Sequence, residues 1–434
     1  MAMKQICVTV KSFGCSANQA DGEVLAGCLK AAGFTLTENP QAAEVVIYNC
    51  CAVKGPTEDR MIAALKRAPK GKKIIVAGCL PIINLDRLKR ETRFDGLVGP
   101  AFGSGIVDVV KRVWLGEAVV ALQDAAGAKP CLCLPRARAN PVVSVVPVNY
   151  GCLGSCAYCC VRFSRGSLRS YSIEEITERF RADLACDAKE FWITSQDTAC
   201  YGRDIGTNLP ELLTAICDLS GKFRVRVGMM TPNNVSDMLG ELVKAYGNKK
   251  VFKFLHLPVQ SGDDMVLKEM RRFYTVQQFR DIVVAFKAAF PRVTLATDVI
   301  CGFPGETRKA FESTLQLISK IQPDVVNVSK FFARPKTAAA EMTEGLVEQV
   351  EITHRSAEIA RLAKKISFER NQHWLGWRGE ILVDEKGRTS GSWIGRNFAY
   401  KPIVVKNSSN LLGKTLQVKV ATAFQTYLAG EIID

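Results

Sequence analysis

Hydrophobic and polar positions divide the chain into three parts with different periodicities. In roughly the first 115 residues, short β-branched runs alternate with amphipathic stretches. The runs "QICVTVKSFGC", "AEVVIYNCC" and "KKIIVAGCLP" are typical of buried parallel strands. The stretch "DGEVLAGCLKAAGF" has helical spacing, and Gly33 predicts the end of that helix. The alternation predicts an α/β domain with a parallel sheet over residues 1–120.

The second part follows a segment without periodicity. Residues 121–141 are interpreted as an interdomain linker, and their Cys131 and Cys133, which lack a second pair at zinc-site spacing, as incidental. From residue 142 to residue 366, six apolar runs alternate with amphipathic stretches. Six β/α units predict a closed or partial barrel, and we expect a partial (β/α)6 barrel with its chemistry at the carboxyl ends of the strands. The runs are "VVSVVPVNYGC", "EFWITSQD", "FRVRVGMM", "FKFLHLPVQSG", "VTLATDVICGFPG" and "PDVVNVSKFF".

The third part, residues 367–434, changes to short strands separated by Gly, Asn and Ser turns. That pattern predicts a small antiparallel β-barrel. Residues 370–434 carry nine lysines and arginines against five aspartates and glutamates, with aromatic residues between them. Such a module is typical of nucleic-acid binding, and a basic β-domain with an aromatic core is the alternative. The candidate RNA contacts are Arg378, Lys386, Arg388 and Arg396.

Charge and composition indicate the type of partner and the cellular compartment. The 434 residues carry a formal charge of +15, which favours a polyanionic partner over a merely basic protein. No apolar run reaches the roughly 18 residues of a membrane span, and the first residues lack a signal-peptide pattern. We therefore expect a cytoplasmic protein without a membrane partner. In a reducing compartment, the 16 cysteines are expected to serve metal binding, catalysis or burial rather than disulfides.

Three cysteines follow the predicted strands of the first domain. They are Cys15, Cys51 (or its neighbour Cys50) and Cys79. Because the carboxyl ends of parallel strands form the ligand crevice of an open sheet, these three side chains are expected to converge at one edge.

Three further cysteines, Cys152, Cys156 and Cys159, have the spacing C-x3-C-x2-C directly after the first strand of the barrel-like region. A closed zinc site would need four ligands, whereas an iron–sulfur cube with three thiolates leaves one iron open. With Tyr158 before the last cysteine, the motif resembles the signature of radical S-adenosylmethionine (SAM) enzymes. The resemblance implies a [4Fe–4S] cluster that binds and cleaves SAM, and it leaves Cys160 outside the ligand set.

The same resemblance implies SAM contacts at the ends of the barrel strands. A structural role at the top of the barrel is the alternative for each of them. The candidates are Tyr158, Ser195, Gln196, Arg226, Met229, Gln260, Ile300 and Gly302.

The whole chain resembles the methylthiotransferase family. The motifs "GCSANQAD", "NCCAVK" and "AGCLP" match its first domain, and the basic tail is similar to its tRNA-binding TRAM domain. The resemblance implies a second, auxiliary [4Fe–4S] cluster on Cys15, Cys51 and Cys79. Cys50 stands where the family usually has Thr and is the alternative to Cys51. The implied reaction uses two SAM molecules, one to methylate sulfur and one to generate the radical that inserts methylthio into a C–H bond.

Two stretches, "TSQDTACYGRDIGTNLPELL" and "PDVVNVSKFFARPKT", are similar to the archaeal and eukaryotic branch that acts on N6-threonylcarbamoyladenosine in tRNA. This chain departs from the usual pattern at Ala199, Phe273 and Lys336, each in place of Gly. Arg334 and Lys336 are the candidate substrate contacts. Isopentenyladenosine in tRNA and an aspartate of a ribosomal protein are the alternative substrates, and a non-enzymatic iron–sulfur RNA-binding protein is the alternative of another class.

The expected partners are the anticodon loop of tRNA and an electron donor of unknown identity; the sequence leaves the oligomeric state open. Three arginines beside the second cysteine motif are candidates for phosphate or SAM-carboxylate contacts, or for a solvated helix start. They are Arg162, Arg165 and Arg169.

Overall fold

A computed structural model describes residues 6–52, 55–122 and 129–433. The first domain contains a six-stranded, wholly parallel sheet in the order β2-β1-β3-β4-β5-β6, with helices on its faces. Its strands are β1 (Cys7–Ser12), β2 (Thr35–Leu36), β3 (Val45–Cys50), β4 (Lys73–Gly78), β5 (Gly96–Val98) and β6 (Val119–Ala121). Its helices are α1 (Ser16–Ala31), α2 (Gly55–Lys66), α3 (Leu80–Ile83), α4 (Leu85–Glu91) and α5 (Ile106–Trp114), with a 3-10 turn at Gly103–Gly105.

The central strands of this sheet are the continuous apolar runs of the sequence. Every residue of β3 is buried, as expected for a strand covered on both faces. Helix α1 begins at Ser16, five residues before the start of the amphipathic pattern, and Gly33 follows its end with φ +86°. Since β1, β3 and β4 are neighbours, the three cysteines that follow them share one edge of the sheet.

The second domain has six main parallel strands in two groups of three, β11-β10-β7 and β12-β13-β14. A bridge between Val225 and Val251 connects the groups, which together form the expected partial (β/α)6 barrel. The strands are β7 (Val143–Pro147), β10 (Glu190–Thr194), β11 (Arg224–Val227), β12 (Phe254–His256), β13 (Thr294–Cys301) and β14 (Val325–Lys330), plus a small antiparallel pair of β8 (Asn149–Tyr150) and β9 (Arg169–Ser170).

Helices cover the outside of the partial barrel, and two short 3-10 turns, Thr198–Cys200 and Ala338–Ala340, lie at its carboxyl end. The helices are α6 (Val161–Arg165), α7 (Ile173–Ala185), α8 (Leu209–Asp218), α9 (Pro232–Ser236), α10 (Leu239–Tyr246), α11 (Asp264–Glu269), α12 (Val276–Ala289), α13 (Arg308–Ile321) and α14 (Gln349–Gln372).

The third domain is a closed five-stranded barrel in the order β15-β16-β17-β19-β18. Its pairs are antiparallel except for β17 with β19, which run parallel. The strands are β15 (Arg378–Lys386), β16 (Ser392–Arg396), β17 (Pro402–Lys406), β18 (Thr415–Ala423) and β19 (Leu428–Ile432).

Two domain boundaries lie later than the sequence pattern places them. Strand β6 pairs with β5 up to Ala121, so the first domain includes the start of the predicted linker. The boundary predicted between residues 366 and 367 falls inside α14, because that helix packs on β14 and continues without a break to the third domain. Within the linker, Cys131 and Cys133 form a disulfide, whereas the sequence analysis expected thiols.

The first and third domains contact opposite ends of the partial barrel. At the carboxyl end of its strands, Thr194 hydroxyl lies 2.6 Å from that of Ser16 in the first domain. At the amino end, the backbone N–H of Lys253 donates to Phe398 of the third domain at 2.8 Å. The two cysteine motifs therefore lie between the first two domains, and the third domain lies at the far end. No helix in the described ranges is long and apolar enough to cross a membrane.

Candidate active site: two cysteine triads between the first two domains

The loop triad, defined as Cys152, Cys156 and Cys159, lies on the loop between β8 and α6. All three side chains are partly buried. The backbone N–H of Gly154 donates to the sulfur of Cys152 at 3.2 Å. A Cβ at Gly154 would lie 3.3 Å from that sulfur and 3.6 Å from the sulfur of Cys156. The loop thus curls around the two sulfurs at a position without a side chain, which leaves room for a cluster.

A partly buried arginine from the connection between α11 and α12 approaches one of these sulfurs. Arg272 donates from Nη1 to the sulfur of Cys156 at 3.2 Å, and its Nη2 finds no hydrogen-bond acceptor among the described residues. A cationic donor beside thiolate sulfur stabilises the metal-binding form of cysteine. Burial raises the pKa of the Cys159 thiol to about 12, so that metal binding must displace its proton.

Cys200 lies against the loop triad, although the sequence analysis assigned it no role. Its thiol donates to the backbone carbonyl of Asp197 at 3.0 Å. The ligand atoms of Cys152, Asp197 and Cys200 lie within 4.8 Å of one another. A hydrogen bond with Cys200 lowers the pKa of Cys152. Its place on the 3-10 turn after the second barrel strand was the available signal, since that turn lies at the carboxyl end.

The Asp197 side chain joins two loops at this end of the barrel. Its carboxylate accepts hydrogen bonds from the backbone N–H of Ala199 at 3.1 Å, the N–H of Thr231 at 3.0 Å and the amide of Asn234 at 2.8 Å. The loops after β10 and β11 are therefore fixed relative to each other beside Cys152.

The sheet-edge triad, defined as Cys15, Cys51 and Cys79, comes from three separate segments. Cys15 is the N-cap of α1, Cys51 follows β3 and Cys79 precedes α3. A hydrogen bond with Cys51 lowers the pKa of Cys15 to about 6, against the effect of desolvation. A Cβ at Gly14, whose φ is +106°, would lie 2.8 Å from the sulfur of Cys51, so only glycine fits this approach. The structure thus shows Cys15 in contact with Cys51. The sulfur of Cys79 lies 3.9 Å from the side-chain oxygen of Asn18 on α1, and the convergence of all three thiols stays a prediction.

Cys50 has different surroundings from Cys51. It is the last residue of β3 and is fully buried, and burial raises the pKa of its thiol well above the ordinary value. Successive residues of a strand face opposite sides of the sheet, and here the second of the pair contacts Cys15. This placement favours Cys51 as the ligand.

Cys160, outside the signature spacing, packs against the first domain. Its thiol donates to the carbonyl of Ala52 at 3.3 Å, and it joins the apolar cluster that contains Cys51 and Cys79. The residue that follows the loop triad is therefore buried beside the sheet-edge triad.

Arg165 connects the surroundings of the two triads. It lies on α6, directly after the loop triad, and is 2% exposed. Its guanidinium is 2.6 Å from the carboxylate of Asp21 and donates to the amide oxygen of Asn18 at 2.8 Å, both on α1. Arg165 thus binds the helix that begins at Cys15, rather than solvent. Nothing in the local sequence distinguishes it from Arg162, which is exposed.

Several predicted SAM contacts surround the loop triad at the carboxyl ends of the strands. The Ser195 hydroxyl accepts from the N–H of Asp197 at 3.0 Å, and the Met229 carbonyl accepts from Thr198 at 2.9 Å. The side-chain oxygen of Gln196 is buried without a hydrogen-bond donor among the described residues. An orphaned acceptor next to a cysteine cradle fits a site for a polar ligand.

The remaining candidates are Tyr158, on the loop of the loop triad itself, and residues at the ends of β12 and β13. Tyr158 packs edge-on against Phe303, with ring centroids 6.4 Å apart, and Ile300 lies in the same cluster. Gln260 adopts φ +68°, and its carbonyl accepts from the N–H of Ile300 at 3.0 Å. Gly302 adopts φ +80°, and a Cβ there would lie 2.3 Å from Ile352 of α14.

Arg226 lies toward the third domain instead. Its guanidinium carbon is 5.1 Å from the ring centroid of Trp192, 5.0 Å from that of Phe254 and 5.3 Å from that of Tyr400. Tyr400 belongs to the third domain. The structure therefore gives Arg226 an aromatic cage at the domain interface and does not bring it to the loop triad.

The two predicted substrate contacts have different environments. Arg334 is buried in an ion pair with Glu58 of α2, which links the first two domains. Lys336 is exposed, adopts φ +67°, and its ammonium lies 3.4 Å from the carbonyl of Ile82 in α3. Of the pair, Lys336 is the one that solvent and a substrate can reach.

Three of the four RNA-contact candidates are exposed on the third domain, namely Arg378, Lys386 and Arg388. Arg396 is partly buried instead. It pairs with Asp384 at 3.0 Å and lies over the ring of Tyr400 at 4.9 Å. Its charge is used at the domain interface.

Three family models match the chain, one in each domain. Residues 7–99 match Uncharacterized protein family UPF0004, residues 146–318 match the Radical SAM superfamily and residues 376–433 match the TRAM domain. Over 430 residues the chain is 40% identical to "Probable threonylcarbamoyladenosine tRNA methylthiotransferase" of Pyrococcus horikoshii, covering 98% of this chain and 99% of that protein. The chain belongs to the threonylcarbamoyladenosine tRNA methylthiotransferase family. The human family member, "Threonylcarbamoyladenosine tRNA methylthiotransferase", is 35% identical over 438 residues, 98% of this chain and 74% of its own length.

Solved structures with a similar fold are more distant from this family. The radical SAM methyltransferase TsrM from Kitasatospora setae, with tryptophan and a SAM analogue bound, aligns with a TM-score of 0.54 at 12% identity, covering 88% of this chain and 79% of TsrM. The cobalamin-dependent radical SAM enzyme OxsB aligns with a TM-score of 0.51 at 11% identity, covering 83% and 61%. These likenesses concern the fold.

Membership in the Radical SAM superfamily implies one [4Fe–4S] cluster and SAM as cofactors. The loop triad fits such a cluster. It has three thiols on one loop. Gly154, which has no side chain, lies near the sulfurs of Cys152 and Cys156, and the guanidinium of Arg272 donates to the sulfur of Cys156.

Proposed function

We propose that this enzyme inserts a methylthio group at C2 of N6-threonylcarbamoyladenosine next to the anticodon of tRNA. The observation that carries the proposal is the presence of two cysteine triads where the first two domains meet, with Arg165 bound to the helix that begins at Cys15. Two separate thiol sites suit a reaction that needs both a radical source and a sulfur donor. We assign the first role to the loop triad and the second to the sheet-edge triad.

The chain's own residues would hold and shield these groups. When bound, the two [4Fe–4S] clusters supply the electron that cleaves SAM and the sulfur that is transferred. Gly154 and Arg272 donate hydrogen bonds to the sulfurs of the loop triad. Arg165 brings a fixed positive charge near Cys15 and Cys79. Gln196 offers an unpaired acceptor for the amino end of SAM.

An RNA substrate agrees with the charge and with the third domain. The formal charge of +15 favours binding to the phosphates of RNA. Exposed basic residues of the TRAM domain add to this attraction. We assign the contact with the carboxylate of the threonylcarbamoyl group to Lys336, and its exposure supports this assignment. A cytoplasmic location and a reducing partner protein as electron donor complete the proposal.

Anaerobic reconstitution followed by two assays tests it. The full chain should hold about eight iron atoms, as expected for two [4Fe–4S] clusters. Cys152→Ala should abolish 5′-deoxyadenosine formation, whereas Cys15→Ala should keep it, lose about four irons and fail to methylthiolate tRNA. Cys186→Ala, at an exposed cysteine outside both triads, is the matched control.

Mass spectrometry of tRNA nucleosides then identifies the product. We expect 2-methylthio-N6-threonylcarbamoyladenosine to appear with the unaltered chain and to be absent with Cys15→Ala. Formation of the isopentenyladenosine counterpart instead, or full iron loading without any SAM cleavage, would contradict the proposed function.

A further inference from the structure

An exposed group of aromatic side chains lies where α14 meets the third domain, far from both cysteine triads. The aromatic platform is defined as Phe368 of α14 together with Phe424 and Tyr427 of the turn between β18 and β19. With Gln425 and Thr426, these residues line a cavity of about 440 Å³. That volume lies within the range of small-ligand sites and would accept a nucleobase.

The platform is held in place by polar contacts behind it. The rings of Phe424 and Tyr427 stack with centroids 4.5 Å apart and an angle of 16°. The N–H of Phe424 donates to the Tyr427 carbonyl at 2.9 Å, which closes the turn. From α14, Asn371 donates to the Phe424 carbonyl at 2.8 Å, and Ser367 donates to the Gln425 carbonyl at 2.6 Å. The rings are therefore presented by an anchored backbone.

The same rings remain accessible to solvent. Phe368 is 39% exposed and Phe424 is 40% exposed. Much of their apolar surface therefore stays in contact with water in the folded protein. Adjacent exposed aromatic rings that line one cavity are typical of a binding surface rather than of scattered surface residues.

A row of basic residues on α14 leads to the platform. Arg361, Lys364, Lys365 and Phe368 follow helical spacing and share one exposed face. Glu369 approaches Lys365 at 3.9 Å, but the lysine side chain is 75% exposed, so this pair is weak. Positive charge beside accessible ring faces matches the chemistry of single-stranded nucleic acid, which combines a phosphate backbone with unpaired bases.

We propose that the aromatic platform stacks an unpaired base of RNA, while Arg361, Lys364 and Lys365 contact the adjoining phosphates. The identity of that RNA as the tRNA substrate rests on the proposed function, whereas the stacking itself does not. Helix α14 has 24 residues and is therefore about 36 Å long. Its first half packs beside the cysteine-bearing end of the barrel and its last turn touches the platform. This contact is thus separate from the reacting nucleoside.

Binding of a fluorescent 12-nucleotide oligoadenylate to the reconstituted full chain tests the stacking. Phe424→Ala should weaken its affinity at least about 5-fold, the loss expected for one stacked base, and Phe424→Trp should keep it. Affinity for a 12-base-pair RNA duplex should change less than twofold. Val284→Ala, which shortens an exposed apolar side chain on α12, is the matched control and should change neither affinity.

The basic residues of α14 are tested separately, by the salt dependence of oligoadenylate binding. Replacing Lys364 and Lys365 by Gln should reduce the slope of log affinity against log salt by about 0.7 per charge. The same change at Lys89 and Lys111, two exposed lysines of the first domain, is the control and should leave the slope unaltered.

Equal losses in Phe424→Ala and Val284→Ala, or no loss in either, would overturn the proposal. Conversion of a dimer to a monomer by Phe424→Ala in sedimentation, with oligoadenylate affinity unchanged, would assign the platform to a second copy of the chain and also overturn it. Methylthio formation is assayed separately on the unaltered chain. Phe424-dependent binding without any methylthio product would contradict the proposed function and leave the stacking proposal standing.

Discussion

The radical SAM domain contacts its neighbours through two interfaces of different chemistry. At the carboxyl end of its strands, Arg165 pairs with the carboxylate of Asp21 in the first domain. Arg334 pairs with Glu58, which Arg87 of the first domain also contacts at 2.9 Å. At the amino end, Arg226 lies among three aromatic rings, one of them Tyr400 of the TRAM domain. Both interfaces are buried, but the first surrounds cysteine sulfurs and the second does not.

The two interfaces differ in how their charged groups respond to pH. Arginine stays charged at any physiological pH, so the two cations of the interface beside the triads keep their charge under all such conditions. The amino-end interface contains buried carboxyl groups of two kinds. Burial raises the pKa values of Glu190 and Asp384. The pKa of Asp324 is lowered, against the effect of burial, by the ammonium of Lys401 at 2.8 Å. We therefore expect the stability of the amino-end interface to vary with pH through its buried carboxyl groups, whereas the two arginines beside the triads do not change charge. Three substitutions examine this contrast.

The largest effect is expected from Arg165→Met. The variant leaves the carboxylate of Asp21 buried without its cation, a change that typically costs about 3–5 kcal/mol. The first transition in urea unfolding should move to lower urea, and iron content at the sheet-edge triad should fall. Arg162→Met, on the exposed side of the same helix, should change neither.

Adding Asp21→Asn to Arg165→Met should recover much of the lost stability, because the stranded charge is then removed. Equal destabilisation by Arg162→Met and Arg165→Met would show that the ion pair does not hold the two domains together.

A pH-dependent effect is expected at the amino-end interface. Burial, with Asp384 nearby, raises the pKa of Glu190 from 4.5 to about 7. Between these values the folded chain keeps a proton that the unfolded chain has lost, so this group's contribution to stability falls as pH rises through that window. The difference amounts to at most about 3 kcal/mol. Thermal unfolding at pH 5 and pH 8 should show Glu190→Gln more stable than the unaltered chain only at pH 8.

Glu431→Gln, at an exposed glutamate of the TRAM domain, is the control and should follow the unaltered chain at both pH values. If Glu190→Gln is destabilising at pH 8, the carboxylate is ionised in the folded protein and the contrast between the two interfaces is lost.

The smallest effect is expected from Lys336→Gly. Lys336 is exposed and adopts φ +67°, a conformation that glycine reaches without strain, so the change removes a charge without disturbing the backbone. An exposed charge contact is worth about 0.2–1 kcal/mol, which corresponds to about a 1.4- to 5-fold rise in KM for modified tRNA. SAM cleavage without tRNA should be unaltered. An unchanged KM would remove Lys336 from the substrate site.

The parts of this architecture that follow from local pattern were predictable from the sequence. Prediction of the loop triad needs only the spacing of three cysteines within eight residues. Prediction of the sheet-edge triad needs three apolar strands that are each followed by a cysteine. Membership in one sheet then places Cys15, Cys51 and Cys79 at one edge, because neighbouring parallel strands end there.

The features that sequence reasoning missed depend on how separate domains face each other. Arg165 and Arg162 stand three residues apart in one basic stretch, and only the docking of α1 buries the former. Arg334 resembled a substrate contact because its partner, Glu58, is remote in the chain. The position of Cys200 on a loop at the carboxyl end of the barrel was visible in the sequence, but its contact with Cys152 depends on how that loop packs. In each case the deciding contact is non-local.

The ion pair of Arg165 with Asp21 also affects when the first domain can complete its folding during synthesis. Asp21 and Cys15 belong to the first domain, which leaves the ribosome before the segment that contains Arg165 has been synthesised. Until that segment arrives, the carboxylate of Asp21 has no cation to pair with, and the helix that begins at Cys15 lacks its partner surface. The sheet-edge triad therefore reaches its final shape only after the next domain has begun to dock, so maturation of the first site waits for translation of the second.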